Sequence, residues 1–199
     1  MFVQVISGLI GDVSQVRVLT RRWQTELRPG ARGYLGSTIG VTDDGVLVSV
    51  MRFTSREDAQ VNAERVEQAA WWEALVACFL DGINVRDSDD VVVFGARDRF
   101  DHAGFVQVVE GRVHDLPAAR QLQREVEPFL AAERPDLLGG VVAIHRLGTF
   151  TDVSYFVDEE AARGGEARPL SPELQRLLSH FGGVYTVEHF RDLRDPWCF

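Results

Sequence analysis

The sequence predicts an α+β fold built twice: two βαββαβ units in tandem, each an antiparallel sheet with helices over one face. Three observations predict it. Phe2-Val3-Gln4-Val5 recurs as Phe105-Val106-Gln107-Val108, and the spacing holds without a gap from 2–60 to 105–163, with 17 identities in those 59 pairs. A period of 103 residues is that of a whole small domain, too long for a solenoid repeat. Within each copy the apolar pattern switches between the two-residue period of strands and the three-to-four-residue period of helices. The strands are also apolar on both parities: Val46, Val48 and Val50 oppose Leu47, Met51 and Phe53.

Each copy opens with a strand, 2–7 and 105–110. Asp12 and Asp115 then stand where an N-cap accepts from the free backbone N–H groups of a first helix. The apolar stripe of that helix is Val13, Val16, Leu19, Trp23 and Leu27, matched by Leu116, Ala119, Leu122, Val126 and Leu130. Pro117 fits a first turn, whereas Pro128 is expected to kink the second copy's helix or end it early. Strands at about 34–41 and 46–53 flank Asp43-Asp44-Gly45, a hairpin signal. Their counterparts, 138–145 and 149–156, meet near Gly148.

Ser55 and Asp158 precede short helical segments. Further helices cover about 69–79 and 172–181, the second opened by Ser171-Pro172 as N-cap and first turn. Pairing Trp72 with Leu174, Leu75 with Leu177 and Phe79 with Phe181 gives a spacing of 102. On that reading one residue is lost before the helix, and Trp71 falls opposite Glu173. Last strands fit 82–87 and 184–189. The expected organisation is an N-terminal ferredoxin-like repeat over 1–94, a polar linker over 95–103 and a C-terminal repeat over 104–199. Val91–Phe94 is read as an extra strand that reaches across to the partner unit.

Composition limits the function. The net charge is −9 and every basic residue is arginine. That balance argues against non-specific nucleic-acid binding and against an anionic membrane surface. No apolar run approaches the roughly 20 residues of a spanning helix. The start of the chain reads as a strand and not as a signal peptide, so the expected location is cytoplasmic. Cys78 and Cys198 form no disulfide framework, and no metal-ligand spacing surrounds them. No phosphate-binding loop, dinucleotide fingerprint, nucleophile elbow or zinc motif is present. Neither a metal nor a cofactor is expected.

A sheet that is apolar on both faces gains roughly 25 cal/mol per Å² by burying the face its helices leave open. The expectation is therefore that the two sheets pack face to face as an internal pseudo-dimer. Such a chain would be a monomer at the level of this pair, open to further dimerisation. The element order, with Arg52-Phe53-Thr54-Ser55-Arg56-Glu57-Asp58-Ala59 at the strand-to-helix junction, resembles the dimeric α+β barrel superfamily. Within it, the chain is similar to the antibiotic-biosynthesis-monooxygenase-like group, here in tandem, fused form. That resemblance implies a ligand cavity between helices and sheet, and either cofactor-independent oxygenation or haem degradation. Gln4 and Gln107 stand where the haem-degrading members carry a strand asparagine. Asn62 stands after the junction where they carry a histidine.

Candidate site residues follow from asymmetry between the copies, which diverge most between Val61 and Trp71. The candidates for ligand contact are Gln4, Arg52, Asn62, Gln68, Trp71 and Trp72, with Gln4, Asn62 and Trp71 as candidates for catalysis. Trp72 is assigned to the core stripe. Trp71 is the aromatic without a packing role in the repeat, free to cover an apolar ligand. Gln4 and Gln107 are amides within apolar strands and need partners if buried, for instance each other. The five histidines do not repeat between copies. The function expected is binding of a small, largely apolar ligand in a cavity confined to the N-terminal copy, with the other copy as scaffold. Cofactor-independent monooxygenation is the enzymatic form of that reading. A non-catalytic sensor or interaction scaffold is the alternative, and haem binding a weaker one.

Overall fold

The computed structural model describes residues 1–199, apart from the side chains of Arg97 and Asp98. The chain divides into two compact units, Met1–Asp90 with Phe199, and Val91–Cys198.

In the first unit β1 (Phe2–Leu9) leads into α1 (Val13–Arg22), then β2 (Tyr34–Val41), β3 (Val46–Phe53), α2 (Arg56–Ala63), α3 (Val66–Val76) and β4 (Asn84–Ser88). The strands are antiparallel in the order β2-β3-β1-β4. Phe199 exchanges two backbone hydrogen bonds with Ser37, both 2.9 Å. The expected caps form: Asp12 accepts from the Gln15 N–H and Ser55 from the Asp58 N–H. Val16, Leu19, Trp23 and Leu27 are buried, while Val13 at the stripe's start is exposed.

In the second unit the strands are β5 (Asp90–Gly95), β6 (Phe105–Val113), β7 (Leu137–Ile144), β8 (Thr149–Phe156) and β9 (Tyr185–Leu193), in the order β5-β7-β8-β6-β9. The helices are α4 (Leu116–Glu133), α5 (Glu159–Glu166), α6 (Pro172–Leu178) and α7 (Phe181–Val184). Val91–Phe94 is thus part of an added strand, paired to β7. The 95–103 stretch contains a short 3₁₀ helix whose Phe100 ring stacks on Tyr155, centroids 4.1 Å apart. Gly36 and Gly139, identical in the repeat, sit at bulges in β2 and β7 with φ of +141° and +144°. A side chain there would be strained, which explains a shared glycine at this point.

Pro128 does not end α4, which continues to Glu133. The missing N–H costs one hydrogen bond near the helix end, and the face carrying Ala119, Leu122 and Val126 holds the helix in the core. A second expectation changes at α3, whose buried face is Gln68, Trp71 and Leu75, with Trp72 half-buried. Trp71, not Trp72, is therefore the tryptophan of the core face, as Leu174 is the fully buried residue of α6, while Leu75 and Leu177 are both buried.

Candidate functional site

The first unit holds a pocket of about 470 Å³ between its sheet and α2 and α3. That volume suits a small organic ligand. Phe2, Met51, Phe53 and Val85 form an apolar floor on β1, β3 and β4, and Ala59, Ala63 and Ala69 lie in the helical wall. Trp71 and Trp72 line the same space. The Trp71 indole N–H donates to the Leu19 carbonyl at 2.8 Å, and its ring tilts against Trp23 at 6.4 Å. Trp71 is therefore a core residue that also presents a face to the pocket.

The polar lining is held by named partners. Gln4 on β1 donates through Nε2 to Asp87 Oδ1 at 3.1 Å, its cross-strand neighbour on β4. Arg56, at the start of α2, contacts Asp87 at 3.3 Å and Asp89 at 2.7 Å, its guanidinium 4.6 Å from the Phe2 ring centre. Asn62 accepts through Oδ1 from Arg65 at 3.0 Å; Arg65 also donates to the Leu27 carbonyl at 2.9 Å and pairs with Glu67. Gln68 accepts through Oε1 from the Trp23 indole at 2.7 Å.

Five candidates, Gln4, Asn62, Gln68, Trp71 and Trp72, therefore line one pocket, and Arg52 does not. Arg52 is buried on the opposite parity of β3 from Met51 and Phe53, with its guanidinium against Gly36. Sequence reasoning missed Asp87 and Arg56. The available signal was the recurrence of Asp87 as Asp192, each opposite its copy's strand glutamine. No cross-pair of Gln4 and Gln107 forms: each amide is bonded within its own unit.

The equivalent region of the second unit is crossed by charged side chains. Glu166 stands where the first unit has Ala63, and Arg163 where it has Gln60. Gln107 donates to Glu166 at 2.8 Å; Arg163 pairs with Glu166 at 3.0 Å and with Asp192, its guanidinium 5.2 Å from the Phe105 ring centre. The second unit does have a cleft of its own, about 730 Å³, so concavity is not confined to the first copy as expected. It is built from α4, α6 and α7, with Leu122, Phe129 and Leu177 inside it and no strand residue in its lining.

Among the described residues no cluster of three potential metal ligands exists. The first unit's pocket is lined by no histidine, tyrosine or cysteine, and Met51 is its one side chain of a type that ligates haem iron. His145 is buried elsewhere, against the Thr151 hydroxyl at 2.9 Å, and the other four histidines are exposed.

No protein-family model matches the chain, and no curated protein matches it. Solved structures do. A candidate monooxygenase from Lactobacillus acidophilus superposes with a TM-score of 0.70 at 12% identity, covering 100% of this chain and 99% of its own. A candidate monooxygenase from Fusobacterium nucleatum gives 0.75 at 7% identity, covering 99% and 91%. A ferredoxin-fold protein related to antibiotic biosynthesis monooxygenases, from Listeria monocytogenes, gives 0.52 at 12%, covering 96% and 92%. The chain has the ferredoxin-like fold of these monooxygenase-like proteins. The likeness extends over both copies, and at such identities it carries the fold and not the activity. Among the described residues no helix is long and apolar enough to cross a membrane.

Proposed function

We propose that the first unit binds a small, largely apolar aromatic molecule between its sheet and α2–α3, and oxygenates it without a cofactor. The observation that carries this reading is the contrast between copies. An apolar space flanked by Trp71 and Trp72 stands open in one. At the matching place the other has Arg163 and Glu166 tied to Gln107 and Asp192. The fold shared with monooxygenase-like proteins supports the enzymatic form. In this chemistry an enolisable aromatic ketone supplies the electrons: one oxygen atom of O₂ becomes the new carbonyl at the activated carbon, and the other leaves as water. Asp87 beside Gln4 and Glu73 on α3 are the two carboxylates of the lining, and one of them takes the proton released on enolisation.

Anthrone, an enolisable three-ring ketone, is a suitable probe. Purified protein is expected to quench its own tryptophan fluorescence on binding anthrone, to consume O₂ and to yield anthraquinone above the uncatalysed rate. Binding without O₂ uptake would replace the enzyme with a ligand sensor. Absence of both would end the reading.

A further inference from the structure

The cleft over the second unit's helices has an apolar floor and an acidic rim. Leu122, Phe129, Leu177 and Val184 form the floor of this space of about 730 Å³ between α4, α6 and α7. Glu125 and Glu173 stand on its walls, both exposed, with Arg176 one turn beyond Glu173 and His180 after it. From Ala118 to Phe129 the α4 wall runs about 16 Å at the helical rise. An open apolar cleft of that length suits three turns of an amphipathic helix.

The matching helix of the first unit has diverged to the opposite character. By the gapless spacing, Arg22 stands where α4 has Glu125, and Glu26 where it has Phe129. Arg22 and Glu26 pair with each other at 2.8 Å. Residues 13–32 carry five arginines against one glutamate, a net +4 in a chain of net −9. Val18 is 57% exposed on α1, with Arg17, Arg21 and Arg22 around it. Val18, Arg21 and Arg22 share one face, at steps of three and four. Among the described residues neither Arg21 nor Glu173 has an ion-pair partner.

We infer that the cleft of the second unit receives α1 of a second copy of this chain. Val18 seats on Leu122 and Leu177, and Arg21 and Arg22 meet Glu125 and Glu173. When the docked helix runs parallel to α6, Glu26, one turn past Arg22, comes to Arg176, one turn past Glu173. Opposite charges then face each other along the whole contact, which fixes its register. Each chain carries both halves of the contact, so two copies dock reciprocally or chains add head to tail. None of these residues lines the first unit's pocket.

Sedimentation velocity on the full chain tests this. The wild-type protein should exceed the mass of one chain as its concentration rises to about 100 μM, and salt should weaken the association by about tenfold between roughly 0.05 and 0.5 M. Arg21→Glu/Arg22→Glu and Glu125→Arg/Glu173→Arg change exposed side chains only. Each variant alone should self-associate at least about tenfold more weakly, because like charges then face each other. Mixed one to one, the two variants should associate again, since each supplies a face of opposite sign to the other's. A wild-type protein that stays a single chain at every concentration would overturn the inference. So would variants that associate as the wild type does, which would place the contact on another surface, or a mixture that stays dissociated.

Discussion

Asp152 on β8 occupies the position that Ser49 holds on β3. It lies in a strand whose alternate residues Phe150 and Phe156 are buried, and its carboxylate accepts from the Ser154 hydroxyl at 3.2 Å. Burial pushes its pKa up to about 6, against the Ser154 hydrogen bond, which lowers it. Burial, with the nearby Asp152 charge second, pushes Tyr185 up to about 12. In the unfolded chain Asp152 titrates near 3.8. The folded state thus binds this proton more tightly than the unfolded state. Its contribution to stability is fully present below about pH 4 and is lost as pH rises through about 6. Asp152→Asn keeps the acceptor for Ser154 and removes the titration. Relative to wild type, the variant should gain on the order of 2 kcal/mol between pH 4 and pH 8 in denaturant unfolding, a figure kept modest because the residue is half-buried and not sealed off. An equal difference at both pH values would refute the assignment. Nothing in the sequence marks Asp152, since an aspartate on an alternating strand reads as solvent-facing until the helices over it are placed.

Helix α1 passes into a π-helical turn at Trp23–Leu27, while its counterpart α4 stays α-helical from Leu116 to Glu133. The two copies differ at two matched core positions: Trp23 and Trp71 in the first, Val126 and Leu174 in the second. The wider turn accompanies the larger side chains, and the Trp71 indole bonds the Leu19 carbonyl just before that turn. Trp71→Phe should therefore cost about 2 kcal/mol, the sum of a lost buried hydrogen bond and a small cavity. A shift in the urea midpoint measures it, and an unchanged midpoint would mean the indole contributes only to the pocket. Element boundaries were largely legible in the sequence. Aspartate and serine caps, the Asp43-Asp44-Gly45 turn and the gapless repeat are local signals, and each formed as read. The orientation of α3 was not, because Trp71 and Trp72 are adjacent and either can complete a three-to-four-residue stripe. Only contact with Trp23, in the π-helical turn after α1, decides between them.

At the scale of the whole molecule, duplication let two copies of one fold diverge in the side chains between helix and sheet. Which copy stayed open was legible only in part. The sequence singled out Gln4, Asn62 and Gln68, yet the plug in the other copy depends on Glu166 of α5 meeting Gln107 of β6, 59 residues apart. No periodicity reports such a contact. If this exchange alone separates an open copy from a closed one, it should be transferable. In Gln60→Arg/Ala63→Glu the new guanidinium faces Asp87 as Arg163 faces Asp192, and the new carboxylate faces Gln4 as Glu166 faces Gln107. Anthrone binding should fall by about a hundredfold or more, since the ligand must displace a formed ion pair. The reverse change in the second copy, Arg163→Gln/Glu166→Ala, should leave binding at the first pocket as it was, because neither residue belongs to that pocket's lining. Titration calorimetry on the two double variants reads both arms. Loss of binding in the second variant alone would place the ligand in the C-terminal copy, against the assignment made from the lining.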